Sequence, residues 1–206
     1  SFGVRVLRRH ANRIGYSPSF TICDKDDQKR LLKQIYKELS FKDEYLPLAK
    51  THSVISRAKN QGWSPDEYLK NSRDFDSELI HRAFTRYGEH LRKSDAVDFD
   101  DLILLTVQLL KEHEDIRNRF CDQYRYILVD EYQDTNAPQY ELVRLLTSQH
   151  QNISAVGDED QSIYGFRGAD ITNILRFEKD FSGAKVIKLE QNYRSTQNIL
   201  DAATAV

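Results

Sequence analysis

Cysteine is nearly absent: Cys23 and Cys121 stand far apart in 206 residues, with no paired-Cys motif around either. That excludes a disulfide framework and a cysteine-built zinc site, and reads as reduced thiols in a cytosolic, cytoplasmic protein. Long apolar runs are missing as well, and no signal-peptide pattern opens the chain, so no membrane partner is expected. A dominant charge is lacking too. Thirty basic and thirty-two acidic residues nearly cancel to a net −2, so partners must be sought in local clusters. Methionine does not occur at all, and the start at Ser1-Phe2-Gly3 reads as a segment cut from something longer. What remains is 39% hydrophobic and 30% charged, enough apolar mass for a core and enough charge to dissolve, which argues against wholesale disorder.

The first half carries helical periodicity. Val4, Leu7, Ala11 and Ile14 fall on one helical face while Arg5, Arg8, Arg9 and Arg13 crowd the rest. Asp26 or Asp27 is expected to cap a second helix with Leu31, Leu32, Ile35, Tyr36 and Leu39 on its apolar stripe. A short helix is expected over Ser53–Lys59. Gly62-Trp63-Ser64-Pro65 breaks it, with Ser64 and Pro65 as cap and first position of the next. Helical spacing returns between Asp76 and Leu91, and nothing from Thr21 to Ser94 reads as a strand.

The character changes at Val97-Asp98-Phe99-Asp100-Asp101, where Asp98 and Asp101 have the spacing of a capping arrangement for the apolar helix Leu102–Leu110. Short apolar, β-branched runs follow at Tyr126–Val129, Ile153–Val156 and Val186–Leu189, separated by helical stretches at Pro138–Leu146 and Ile171–Phe177. Alternation of this kind predicts an α/β portion of parallel strands with crossover helices, set against a helical portion over roughly 21–94.

Ligands of open parallel sheets gather at the carboxyl ends of the strands. The strand 126–129 runs there into Asp130 and Glu131, two carboxylates that repel unless a cation or proton compensates them. Magnesium and a phosphate ester would do so, with Asp130 on the metal and Glu131 orienting and deprotonating an attacking water. A helix cap after a strand would use the same acids. The strand 153–156 ends in Gly157-Asp-Glu-Asp-Gln161 and continues through Ser-Ile-Tyr164-Gly-Phe166-Arg167-Gly-Ala169. Gln161 can donate to a phosphate oxygen. Tyr164, Phe166 and Arg167 on a glycine-punctuated loop suit a platform for bases and a backbone contact, or else core aromatics and a salt bridge. Beyond Leu189, Tyr193 can stack on a base and Arg194 can clamp a phosphoryl group, or the two form a surface pair near a helix cap.

DEYQDTN (130–136), GDEDQSIYGFRGA (157–169) and LEQNYRS (189–195), in that order and spacing, resemble motifs II, III and IV of superfamily 1 DNA helicases of the UvrD, PcrA and Rep type. VDFDDL (97–102) resembles that family's return from a helical insertion, and SFGVRVLRR (1–9) the segment before it, so the resemblance covers essentially the whole chain. It implies a partial RecA-like P-loop NTPase domain carrying an all-helical insertion: residues 1–20 before the insertion, 21–94 the insertion, 95–206 the later part of the motor. It implies ATP and Mg²⁺ as cofactors. Asp130 would bind the metal and Glu131 act as general base. Gln161 would sense the γ-phosphate, Arg194 contact it in the transition state, and Tyr193 stack on adenine. Tyr164, Phe166 and Arg167 would lie along single-stranded DNA, and tailed duplex DNA would be a further partner. Gly165-Phe166 replaces the family's common Arg-Trp, which implies a weaker grip on the base.

No Gly-x-x-x-x-Gly-Lys-Ser/Thr occurs in the 206 residues. The chain is therefore expected to be an internal segment of a helicase, inactive and binding neither ATP nor Mg²⁺ tightly on its own. It would complete its cleft with a phosphate-loop segment and a second motor domain of the same chain. A non-catalytic module docking DNA or protein, and the motor of a helicase fused to a nuclease as in RecB and AddA, are the competing readings.

Overall fold

The computed structural model describes residues 1–165 and 168–204. Residues 1–175 and those from 176 onward form two separate units.

The first unit opens with α1 (Phe2–His10), which tightens into a 3₁₀ turn over Ala11–Ile14. Its buried face is Val6, Leu7, Ala11 and Ile14. Four helices follow: α2 (Lys25–Glu38), α3 (Leu48–Asn60), α4 (Pro65–Asn71) and α5 (Ser77–Lys93). Their starts are written in side-chain chemistry. Asp24 accepts from the backbone N–H groups of Asp26 and Asp27, while the Asp27 side chain accepts from the Asp24 N–H. The cap of α2 is thus Asp24 rather than the expected Asp26 or Asp27, which serve as the first turn. Ser64 and Glu67 make the same reciprocal pair at α4, with Pro65 just inside, as the sequence led one to expect. α3 begins at Leu48, five residues before the expected start at Ser53, because the Asp43 carboxylate accepts the Leu48 N–H and supports the turn.

Two very short parallel strands close the helical stretch. β1 (Thr21–Ile22) pairs with β2 (Ala96–Val97), so a strand does exist where none was expected. Two residues carry no readable alternation, and only the return of the chain at Asp95–Val97 supplies the partner. α6 (Phe99–Glu112) then starts on the expected Asp98–Asp101 capping box, and α7 (Glu114–Gln123) follows directly. β3 (Ile127–Val129) and β4 (Ile153–Ala155) pair in parallel, Ile127 opposite Ile153 and Val129 opposite Ala155, with α8 (Ala137–Thr147) as the crossover. α9 (Thr172–Leu175) ends the unit.

Two hydrophobic clusters form its interior. One lies among α2–α5 around Leu32, Ile35, Ile80 and Tyr87, and the other joins α1, α6, α7 and α8 around Leu7, Leu109, Leu110 and Phe120. Where α3, α5 and α6 meet, Lys59 is buried. Its Nζ donates to Asp98 Oδ2 and Asp101 Oδ1, both at 2.7 Å, and the Tyr87 hydroxyl donates to Asp98 Oδ2 at 3.0 Å. Burial, reinforced by the neighbouring Asp98 charge, pushes Asp101 up to about 6 against the pull of Lys59. Burial also works against Asp98, yet Lys59 holds it below the usual carboxylate range. Two carboxylates sharing one ammonium divide in this way.

The second unit contains α10 (Phe177–Asp180) and α11 (Gln197–Thr204). Phe177 and Phe181 pack ring on ring at 4.8 Å, and Gln197 donates to Asp201 at 2.8 Å. The strand expected at Val186–Leu189 does not form: the segment is irregular, and Val186, Ile187 and Leu189 are exposed. Among the described residues no strand edge pairs with it, and β-branched residues without a ladder partner do not make a strand. The expected helix Ile171–Phe177 is likewise interrupted, ending as α9 before Arg176.

Candidate functional site

Because β3 and β4 are parallel and in register, both run their carboxyl ends to the same rim. The ladder continues one step further, with the Val156 N–H donating to Val129 O at 2.8 Å and the Tyr132 N–H to Val156 O at 2.9 Å. Asp130-Glu131 and Gly157-Asp158 are thereby set side by side. Both Asp130 and Glu131 are exposed at this rim. The Glu131 N–H donates to Asp130 Oδ1 at 3.0 Å, which turns the aspartate back over its own backbone.

Glu131 itself sits in the left-handed region at φ 49° and ψ 47°. A non-glycine residue there costs on the order of 1–3 kcal/mol and persists only where its surroundings enforce it. Here the kink starts the 3₁₀ turn Tyr132–Asp134 and swings Gln133 inward, where only 1% of it is accessible. Gln133 uses both ends of its amide. Nε2 donates to Glu131 Oε2 at 2.8 Å, and Oε1 accepts the Asp158 N–H at 3.1 Å. A Cβ on Gly157 would lie 2.7 Å from that Oε1, so glycine is what lets the second loop close over the glutamine. The Asp158 carboxylate in turn accepts Gln161 Nε2 at 2.6 Å and the Asp160 N–H at 3.1 Å. A continuous hydrogen-bonded path runs from Glu131 through Gln133 and Asp158 to Gln161.

Of the residues singled out from sequence, Asp130, Glu131 and Gln161 are therefore brought to one rim. Tyr164 lies on the loop that follows, exposed. That loop returns to the end of the first motif: the Asp170 N–H donates to Thr135 O at 3.1 Å, and Asn173 Nδ2 to the same oxygen at 3.0 Å. Phe166 and Arg167 lie outside the described residues. Tyr193 and Arg194 belong to the second unit, where both are exposed and Asn192 Oδ1 accepts the N–H groups of Arg194 and Ser195 at 2.8 and 2.9 Å. Arg194 does not follow a strand end as expected, since 186–189 is irregular; an Asn-capped turn presents it instead. Gln133 had no role assigned from sequence. It stands inside DEYQD, but no periodicity tells a buried glutamine from a solvated one.

A family model described as the UvrD/REP helicase N-terminal domain matches residues 1–182. The chain belongs to the UvrD/REP helicase family. Curated relatives agree. The ATP-dependent DNA helicase PcrA of Leuconostoc citreum is 45% identical over 206 residues, covering 100% of this chain and 28% of that protein. PcrA of Staphylococcus epidermidis and of Staphylococcus aureus match at the same identity and coverage. The chain thus spans 28% of the length of the curated helicases it matches.

In a member of this family the rim's chemistry is specific. Among the described residues no lysine or arginine pairs with Asp130 or Glu131, and no group of three His, Cys, Asp or Glu side chains gathers to hold a metal. One or two carboxylates without a protein counter-charge fit magnesium, which in nucleotide sites keeps waters and takes phosphate oxygens for its remaining ligands. The residues present suit that ion and do not make an all-protein cage.

Proposed function

We propose that the chain is a segment of an ATP-dependent DNA helicase, the later part of a first RecA-like motor domain (residues 1–20 and 95–206) carrying a helical insertion (21–94). The complete protein would couple Mg-ATP hydrolysis to translocation on single-stranded DNA and unwinding of tailed duplex, 3′ to 5′, in cytoplasmic DNA repair or replication. The relatives' printed names and the motif match support this reading. The observation that carries it is the bridge from Glu131 through Gln133 to Asp158 and Gln161.

In this reading Asp130 would hold magnesium, which would supply charge neutralisation to the phosphates. Glu131 Oε1, the oxygen that Gln133 does not bond, takes the proton of the attacking water, while Gln133 fixes the carboxylate by Oε2. Gln161 exchanges its bond to Asp158 for a γ-phosphate oxygen. Arg194 adds positive charge to the transferring phosphoryl group and Tyr193 stacks on adenine. Tyr164, Phe166 and Arg167 bind the DNA strand.

Glu131→Gln in the full-length protein tests the assignment. The amide still occupies the site but cannot take a proton, so nucleotide binding should persist while steady-state ATP turnover disappears. Turnover near the wild-type rate would remove Glu131 as the base.

A further inference from the structure

Asn60, the last residue of α3, lies outside the three motif stretches named above, yet three parts of the first unit converge on it. Its Nδ2 donates back to Ser56 O at 2.7 Å and lies 3.4 Å from Asp100 Oδ1 at the start of α6. Its Oδ1 accepts Nδ2 of Asn136 at 2.6 Å. Asn136 ends the DEYQDTN stretch and caps α8, its own Oδ1 accepting the Gln139 N–H at 3.0 Å. Both ends of the two amides are therefore used, and the orientation of each is fixed by its other partner.

The third part is the loop after Tyr164. Asn136 makes a backbone bridge to Ala169, and Gly168 sits at φ +83° with its α-carbon pressed on α3. A Cβ there would come within 2.9 Å of Asn60 Cβ. Beside Asn60, Lys59 pairs with Asp98 and Asp101, which ties the end of α3 to the start of α6. The end of the helical insertion thus bonds, through Asn60, to the stretch that follows the carboxylate pair and lies against the stretch that follows Tyr164 at Gly168.

We propose that Asn60 is a positioning residue that latches the helical insertion to the rim, keeping the Tyr164 loop in register with the Asp130–Asn136 stretch so that DNA on one stimulates hydrolysis at the other. It touches neither DNA nor nucleotide. The inference rests on the helicase reading above. With the latch open the carboxylate rim keeps its bonds through Gln133 and the loop its bonds to Thr135, but neither is tied to the helical insertion, so hydrolysis without DNA survives while the response to DNA is weakened.

The test uses the full-length helicase carrying this segment, with ATP turnover measured with and without a single-stranded oligonucleotide. Asn60→Ala removes the acceptor. Asn136→Asp keeps the α8 cap but removes the donor, and so separates the latch from folding. Each should lower DNA-stimulated kcat about tenfold, within the range of measured coupling networks, while the DNA-free rate and the KM for ATP stay within about twofold. The double variant should be no worse than either single one, because both act through one bond. A wild-type protein stimulated by DNA whose two variants keep that stimulation, or lose the DNA-free rate in parallel, overturns the latch and leaves the helicase reading standing. A wild-type protein with no DNA-stimulated hydrolysis sinks the helicase reading, and the latch with it.

Discussion

Replacing Lys59 by methionine keeps most of the aliphatic stem and removes the one cation that Asp98 and Asp101 share. The side-chain exposures of the three groups are 6%, 4% and 16%, so water cannot stand in for it. Removing one partner of a buried ion pair costs about 3–5 kcal/mol, because a charge is left uncompensated in low dielectric. The protein has one escape, which is to protonate the stranded carboxyls. With an unfolded carboxyl pKa near 3.9, that costs about 1.4 kcal/mol for each pH unit above it. At pH 8 the escape is no cheaper than the charge penalty, so the full 3–5 kcal/mol is expected. At pH 5 Asp101, raised to about 6, is already mostly protonated in the wild type, so only Asp98 must take up a proton, at about 1.5 kcal/mol, and the loss is capped near that value.

The sign follows from linkage. In Lys59→Met both carboxyls have folded pKa values above their unfolded ones, so their contribution is complete below about pH 4 and drains away as pH rises through the folded values. Wild-type Asp101, already raised to about 6, shows a weaker form of the same trend, and Asp98, held low by Lys59, the opposite one. Urea unfolding of the chain at pH 5, 6.5 and 8 measures this. Trp63, the sole tryptophan, packs on the helical cluster and reports its loss by fluorescence. Adding Asp101→Asn to Lys59→Met should restore part of the stability at pH 8. A loss below about 1 kcal/mol at pH 8, or one that is the same at pH 5, would refute the buried cluster as drawn.

Two other outcomes follow from the rim. With Glu131 as the proposed base, Gln133→Leu in the full-length protein keeps the buried volume but frees Glu131, and a misplaced catalytic group costs up to about a hundredfold; kcat for ATP should fall by at least about tenfold with nucleotide affinity little changed, and equal kcat would remove Gln133 as the support of the proposed base. The 206-residue chain alone contains no phosphate-loop lysine, so DNA-stimulated phosphate release from it should match a buffer control; robust hydrolysis would show that the cleft needs no such loop.

Two helix starts were legible because a capping box joins near neighbours: Asp98 with Asp101 and Ser64 with Glu67 each satisfy backbone donors three residues away, whereas the cap of α2 fell on Asp24 and α3 began five residues early. The strands at Ile127 and Ile153 were legible from β-branched runs ending in acids, and the motif spacing was enough to name the family. Val186–Leu189 misled by the same token, since its composition says strand while its neighbours offer no ladder. α7 carries too mixed a pattern to stand out beside α6, and β1 is too short to alternate.

What the sequence determined on its own was the capping boxes at Asp98 and Ser64, the apolar runs of β3 and β4, and the motifs that carry the family likeness. Only the tertiary structure decided which polar side chains are buried and whom they meet. Gln133 bridging Glu131 to Asp158, Lys59 neutralising Asp98 and Asp101, and Asn60 gripping Asn136 join positions 25 to 76 residues apart. A buried polar group needs a partner of complementary geometry, and only the folded chain chooses it.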